Sequence, residues 1–370
     1  RARHGVREPR LERELAGLAA RAEQELLARP PLLPPGDPVL ARALTELRVA
    51  RARDRPTLRL EERVRRLAAA SRAGDPPTTL DVAALLDALG DRALVGFTAH
   101  RDRLLVTTAV AGRVRARTLG PVDAVARRVR ELRFALSVGR SAPAAAAGLD
   151  EALFGQLRAD TADRELVVLP DGPLHGLPWS ALPSCRGRAV SAAPSAARWL
   201  RAAQSPPSGT GHAWIAGPGL AHADRETAVL RAAHGGTLLT GRAATADAVL
   251  AAIDGVAVAH LAVHGTHRDD QPPLSALRVA DGPLHGYDLA RLRRAPGLVV
   301  LSACDSGLAP VLLRAGARTV VASPLPVPDD RVVAVMTALH ARLRGGASPA
   351  AALAAAQEAD DLGFTCHGAG

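Results

Sequence analysis

His264 and Cys304 stand forty positions apart, each closing a short apolar run: VAVAHLAVH over 256–264 and LVVLSAC over 298–304. A cysteine attacks as its thiolate, and an imidazole within reach is the base that makes one. Continuous runs of this length, rich in Val and Leu, read as strands covered on both faces of a parallel sheet. In an open α/β sheet the functional crevice lies off the carboxyl ends of the strands, so neighbouring strands ending in His and Cys place a base and a thiol on one rim. Gly265 follows the histidine directly. Without a side chain there, its backbone N–H can approach a reacting carbonyl and hold an oxyanion. The chemistry this pattern points to is acyl transfer: His264 takes the thiol proton and later protonates the leaving amine, while the amides of Gly265 and Cys304 hold the oxyanion.

Other ionisable residues crowd the same region. His267, in the polar loop just beyond, is a rival base but worse preorganised; His260, inside the strand, reads as a satisfied core histidine. Asp269, Asp270, Asp329 and Asp330, in loops at the strand ends, together with Asp305 beside the cysteine, are candidates to receive a basic substrate side chain; solvated loop acids are the blander account. The hexapeptide DGPLHG occurs at 171–176 and again at 281–286, as two similar turns after strands or as a trace of duplication between two similar halves. Its histidines, His175 and His285, read as structural.

Composition removes several classes of function. All 47 basic residues are Arg, so a P-loop lysine, a kinase-type lysine and a Schiff-base lysine are excluded. Three cysteines without CxxC spacing make neither a disulfide framework nor a zinc site, and the proposed chemistry calls for no metal and no cofactor. The net charge of +10, with 17 Arg against 11 acids in residues 1–75, raises direct nucleic-acid binding as a further class. Against it, the chain has only three Trp, one Tyr and four Phe for stacking, and Arg alternates with Glu at helical spacing as on a solvated face. No apolar run approaches about 18 residues and no signal peptide is visible, so the chain reads as a cytoplasmic protein with no membrane partner. It opens on Arg rather than Met, as an excerpt of a longer protein would.

The elements that must position these residues follow in order. Residues 10–29 form an amphipathic helix, prolines at 30–38 break it, and a second Arg/Glu-rich helical stretch over roughly 39–72 ends at DPP, 75–77. Residues 1–77 read as a helical connector. LVGFTAH, LLVTTAV and RVRARTL, over 94–119, make an antiparallel meander; a helix over 122–138, an Ala-rich linker at 139–148 and a buried strand at 166–170 complete a first half, 78–204. QSPPSGTG, at 204–211, is the boundary. From 205 to 370 strand and helix alternate: a strand at AWIAGPG, a helix over 224–234, TLLTG, a helix over 245–253, the strand leading to His264, the strand leading to Cys304, a helix near 308–315, RTVVASPLPV, and helices over 330–344 and 348–360. Such alternation predicts a mostly parallel sheet with helices on both faces.

The combination of LVVLPDGPLHGLPWSAL, AHLAVHG, LSALRVADGPL, LVVLSACDSG, GARTVVASPLPVPD and AAALAAAQ resembles the CHAT domain, a caspase-like, separase-related cysteine peptidase domain that bacteria often fuse to tetratricopeptide repeats. The resemblance covers roughly residues 80–360. It implies a caspase-like three-layer α/β sandwich with a mostly parallel sheet, a degenerate caspase-like half before the catalytic one, His264 and Cys304 as the dyad, and an upstream repeat or sensor region as regulatory partner. In one respect the chain departs from the pattern: members usually carry a longer acidic segment after the SAC turn, whereas here DSG runs almost directly into LAPVLLRAG. A cysteine endopeptidase acting on a protein substrate is the reading that follows, with a catalytically inactive scaffold or adaptor module as its alternative.

Overall fold

The apolar runs of the second half become the middle of one long sheet. The structure, a computed structural model, describes residues 38–70, 80–206, 209–268, 271–303 and 307–370. The predicted helix over 10–29 and the DPP break lie outside these residues. Its strands are β1 (Ala93–His100), β2 (Arg103–Val110), β3 (Arg113–Pro121), β4 (Leu166–Leu169), β5 (Val190–Ala192), β6 (His212–Ala216), β7 (Thr237–Leu239), β8 (Val258–Ala262), β9 (Gly265–Thr266), β10 (Ala276–Val279), β11 (Gly282–His285), β12 (Leu298–Ser302), β13 (Thr319–Ala322) and β14 (Thr365–Gly368). Eleven of them form a sheet in the order β3-β2-β1-β4-β5-β14-β13-β12-β8-β6-β7; β11, β10 and β9 form a small second sheet.

Pairing in the large sheet is antiparallel through the meander β1–β2–β3 and between β13 and β14, and parallel elsewhere. The fold is therefore α/β with a mostly parallel sheet. Strand alternation builds the layers: Val299 and Leu301 of β12 point into one core with Leu261, Val249 and Leu312, while Leu298 and Val300 point into the opposite core with Val332, Met336 and Leu353. Helices Ala246–Ile253 and Ala309–Arg314 cover one face, Asp329–Arg344 and Pro349–Ala356 the other. Full burial on both faces is why these strands show continuous apolar runs rather than alternation. The first half repeats the arrangement, with Val95, Phe97 and Val168 facing helices Val122–Ser137 and Pro143–Phe154, and Leu94 and Val167 facing Val82–Leu89 and Ala196–Gln204. No helix among the described residues is long and apolar enough to cross a membrane.

Three expectations change. The Ala-rich linker at 139–148 is in its second part a helix, Pro143–Phe154, with proline in its first turn. Alanine is the best helix former, and Phe154 packs edge-on against both Phe97 and Trp179, so the segment has both propensity and a buried face. The helical stretch over 39–72 is two helices, Pro38–Ala52 and Leu58–Ala70, separated where Asp54 takes a φ of 51° and Pro56 follows. The two copies of DGPLHG adopt different structures: Gly172–Gly176 is a 3-10 helix, whereas Gly282–His285 is strand β11. Local sequence is the same; the partners offered by the rest of the chain differ.

The helices Pro38–Ala52 and Leu58–Ala70 bury Leu40, Leu44, Leu47 and Val64 with Leu274 and Tyr287 of the second half. Arg48, 3 % exposed, donates to Asp288 at 3.0 Å and to the Pro283 carbonyl at 3.3 Å. Glu61 accepts from Arg51 and Thr57, each at 2.8 Å, and lies 3.5 Å from Arg268, four residues past His264. The connector thus touches both the β10–β11 hairpin and the segment that follows the histidine.

Candidate active site

Parallel pairing in register sets Ala262 of β8 beside Ser302 of β12 and beside Ala216 of β6. One residue further, Val263 N–H donates to the Ser302 carbonyl at 3.3 Å and Gly217 N–H to the Ala262 carbonyl at 2.9 Å, so the three chains leave the sheet side by side. His264 comes next on β8's side and the buried Ala303 on β12's side. Cys304, Asp305, Asp269 and Asp270 lie outside the described residues.

The half-buried His264 ring is fixed by a backbone atom. Its Nε2 lies 3.1 Å from the carbonyl oxygen of Gly219. A carbonyl only accepts, so Nε2 carries the proton and Nδ1 keeps its lone pair: the imidazole is held in the tautomer that has Nδ1 as base. Gly219 belongs to the turn Gly217-Pro218-Gly219 after β6 and has a φ of +85°, a backbone shape that glycine adopts without strain. Gly217 is also required, since a Cβ there would meet the Arg278 carbonyl oxygen at 2.6 Å and Val263 Cγ1 at 2.8 Å. From its far side the same loop is tied down by Asp329, whose Oδ2 accepts from His222 N–H at 2.9 Å. Asp329 thus has one carboxylate oxygen engaged with the loop that holds His264. Asp330 is exposed.

Gly265 opens β9, and Arg278 N–H donates to the His264 carbonyl at 2.8 Å. Residues of an antiparallel strand alternate between facing the partner and facing away, so the Gly265 amide is turned away from β10 and is not used in that ladder. His267 follows: its Nδ1 lies 3.5 Å from Ser275 Oγ, and a Cβ on Gly307 would fall 1.8 Å from that same nitrogen. The His267 ring therefore rests on Gly307, where the described chain resumes after Cys304.

The remaining histidines and cysteines separate cleanly. His260 is fully buried, its Nε2 2.9 Å from Glu226 Oε1 and its Nδ1 3.1 Å from His340 Nε2, a satisfied core histidine as its place inside β8 indicates. His285 is also fully buried, donates through Nδ1 to the Leu274 carbonyl at 3.2 Å, and is pushed down to about 3 by burial and by Arg51. His175 is exposed and lines a cavity together with Arg133 and His367. Cys185 and Cys366 are buried in the cores; burial pushes both thiols up, Cys366 to about 12, where a thiolate is not available at neutral pH. Of the three cysteines, only Cys304 is left as a nucleophile candidate. The part of the site that the sequence reading missed is the Gly219 carbonyl, signalled only by the GPG turn.

A family model for the CHAT domain matches residues 143–359, more than half of the chain. The chain belongs to the CHAT domain family. Among solved structures it is similar to separase in the separase–securin complex of Saccharomyces cerevisiae, in the crystal structures at 3.0 Å and 2.6 Å resolution, with TM-scores of 0.57 and 0.56 and 9% identity in each. The likeness covers 77% of this chain and 30% and 31% of those chains, so this CHAT chain spans about a third of the length of the separase chains it matches. At that identity what is shared is the fold, which is caspase-like. No curated protein matches the CHAT chain.

Proposed function

We propose that the protein is a cysteine endopeptidase that hydrolyses a peptide bond in a protein substrate through His264 and Cys304. The observation that carries this reading is the Gly219–His264 hydrogen bond, which presents Nδ1 as a base on the rim where β8 and β12 end in register. Cys304 follows Ala303 by one peptide, and the other two cysteines are buried, with thiols that burial pushes up.

In this mechanism Nδ1 of His264 takes the thiol proton, and the thiolate forms a bond to the scissile carbonyl carbon as the C=O π pair moves to oxygen. The Gly265 and Cys304 amides stabilise that oxyanion. Collapse breaks the C–N bond, and the departing amine takes the proton from His264. Water then gives a proton to His264 and attacks the thioester; the acid leaves and the thiol is restored. Each turnover consumes one water and one peptide bond, with no metal or cofactor in the sequence of steps.

Residues 205–370 are the catalytic half in this reading, 78–204 a degenerate caspase-like half, and 1–77 the connector to a bacterial repeat or sensor region that controls the site from within the cytoplasm. Contacts of Arg48 and Glu61 with the β10–β11 hairpin and Arg268 support that role for the connector. A proteome-wide search for new N-termini, comparing the intact protein with its Cys304→Ala form, tests the activity: cleavage sites must appear with the first and vanish with the second. An inactive scaffold is the second reading, favoured by the short path from Cys304 to the helix that begins at Ala309. Labelling of Cys304 by a peptidyl acyloxymethyl ketone, lost in His264→Ala, would exclude it.

A further inference from the structure

The loop that holds His264 is short, and its far end is the start of a helix. Residues 217–222 lead from β6 into the helix Ala223–His234, and Glu226 N–H donates to the His222 carbonyl at 2.9 Å, so the loop and the first helical turn are one unit. Where that turn meets the sheet, the contacts are the small side chains of Ala216, Ala223 and Ala262. Alanines let the helix come close to β6 and β8, but burial and dispersion have no direction and tolerate a small slide or rotation. The aim of the Gly219 carbonyl has to be fixed by something else.

Glu226 supplies a direction. Its side chain is buried one turn into that helix, and Oε1 lies 2.9 Å from Nε2 of the buried His260, inside β8. The other ring nitrogen, Nδ1, lies 3.1 Å from Nε2 of His340 on the helix Asp329–Arg344. Trp214 packs against both imidazoles, its ring centroid 6.1 Å from that of His260 and 5.1 Å from that of His340. The helix Asp329–Arg344 returns to the loop at its own first turn, where Asp329 accepts from His222 N–H at 2.9 Å. β8 is therefore joined to one helix and its leading loop at two levels: His260 to Glu226 in the core, and His264 to Gly219 at the rim. A buried carboxylate among histidines is a costly way to fill a core, since apolar residues of similar volume often stabilise as well or better. What a hydrogen bond adds over alanine contacts is a preferred length and angle, and hence a register between helix and strand.

We infer that Glu226 is a positioning residue for His264: by accepting from His260 it fixes the first turn of its helix against β8 and so aims the Gly219 carbonyl at Nε2. The use of that aim in catalysis rests on the peptidase reading above; the aim itself does not. Glu226 touches no substrate in this account and acts only through the loop. Glu226→Gln, which keeps an oxygen acceptor at the same point, should therefore preserve the effect.

One Hα of Gly219 reports the aim directly, because a Cβ in its place would lie 3.5 Å from Nε2 and 3.7 Å from Cδ2 of His264. In protein protonated at Gly and His in a deuterated background, a nuclear Overhauser effect between that Hα and the His264 Hδ2 should be present, persist in Glu226→Gln and be lost in Glu226→Leu. Glu226→Leu combined with His260→Leu keeps the core filled and removes the donor that the single change strands, so it serves where the single variant does not fold. The signal should be lost there too, with a thermal melt close to that of the parent. Alkylation of Cys304 by iodoacetamide should fall about tenfold in both Leu variants and stay near the parent rate in Glu226→Gln. A signal that survives in the folded Leu variants, or one that is lost in Glu226→Gln as well, would overturn the inference. Signals that follow the expected order while all the alkylation rates agree would leave Glu226 as the residue that positions the ring and sink His264 as the base for Cys304.

Discussion

The Nε2 of His264 lies 3.1 Å from the carbonyl oxygen of Gly219, a residue that sits at the end of a different strand, 45 positions earlier. This contact decides which nitrogen of the imidazole is basic, and it depends on a backbone shape with φ of +85°. A side chain at 219 would be strained by roughly 1–2 kcal/mol. Its Cβ would lie 3.5 Å from Nε2, in ordinary contact, so the ring would not be expelled, but the carbonyl would turn. Gly219→Ala is therefore expected to slow alkylation of Cys304 by a peptidyl ketone about 10- to 100-fold, the scale at which misplaced catalytic groups act. A melt within a few degrees of the parent protein would confirm that the fold persists. An unchanged alkylation rate would remove Gly219 from the site.

His264 and His267 are rival bases for Cys304, and they make opposite predictions. With His264 as base, His264→Gln lowers the alkylation rate at pH 7 about 100-fold and moves its pH midpoint toward that of an ordinary thiol, about 8.5. His267→Gln leaves the rate within about threefold, because the Nδ1 of His267 faces Ser275 and Gly307. Rates measured with iodoacetamide across pH 5–9 separate the two, and the reverse result would transfer the role to His267.

The sheet rim that carries the candidate site was legible because burial on both faces leaves a mark on sequence: β8 and β12 are continuous apolar runs, and their ends have to lie at a sheet rim. Much of the remainder carried no such mark. Strands β5 and β14 are three and four residues long, VSA and TCHG, and they exist through their pairing with each other and with β4 and β13, across more than 170 positions of chain. Hairpin β10–β11 is set by its packing on helix Pro38–Ala52, which is why DGPLHG is strand there and a 3-10 helix at 172–176. The Gly219 carbonyl is a main-chain atom that any residue supplies; only the turn that aims it is encoded, by Gly217, Pro218 and Gly219.

Arg48 and Asp288 form a pair with almost no solvent contact, 3 % and 0 % exposed, at 3.0 Å. Burial pushes the Asp288 carboxyl up against the pull of Arg48, and its second oxygen accepts the His285 N–H at 2.9 Å. Removing the arginine leaves a buried acid with only the longer Arg291 contact at 3.7 Å, so Arg48→Met should destabilise the protein by about 3 kcal/mol. Arg48→Met with Asp288→Asn keeps an acceptor for His285 and removes the stranded charge, and should recover most of the loss. Urea denaturation of the three proteins checks this. Equal stability of single and double variants would show that the pair is not coupled.

Acid sensitivity follows from the buried histidines. His285 is pushed down to about 3, first by burial and then by Arg51 and Arg48, and His367 to about 4, by burial and His175. In the unfolded chain both take up a proton near 6.5, their ordinary value, whereas in the fold they stay neutral until pH 3–4. The unfolded state binds more protons across that interval, so the stability they contribute is complete above pH 6.5 and is lost as pH falls toward 4. Each histidine gives a slope of about 1.4 kcal/mol per pH unit well below 6.5. Asp288 acts with the opposite sign, because its raised carboxyl pKa lets the fold take up a proton before the unfolded chain does. Urea midpoints should therefore fall between pH 7 and pH 5. His285→Asn, which retains a donor for the Leu274 carbonyl and does not titrate, should remove one proton's share of the slope. A midpoint that stays level from pH 7 to 5, or a slope unaltered in His285→Asn, would mean that His285 is not held neutral by the packing of β11 against the connector.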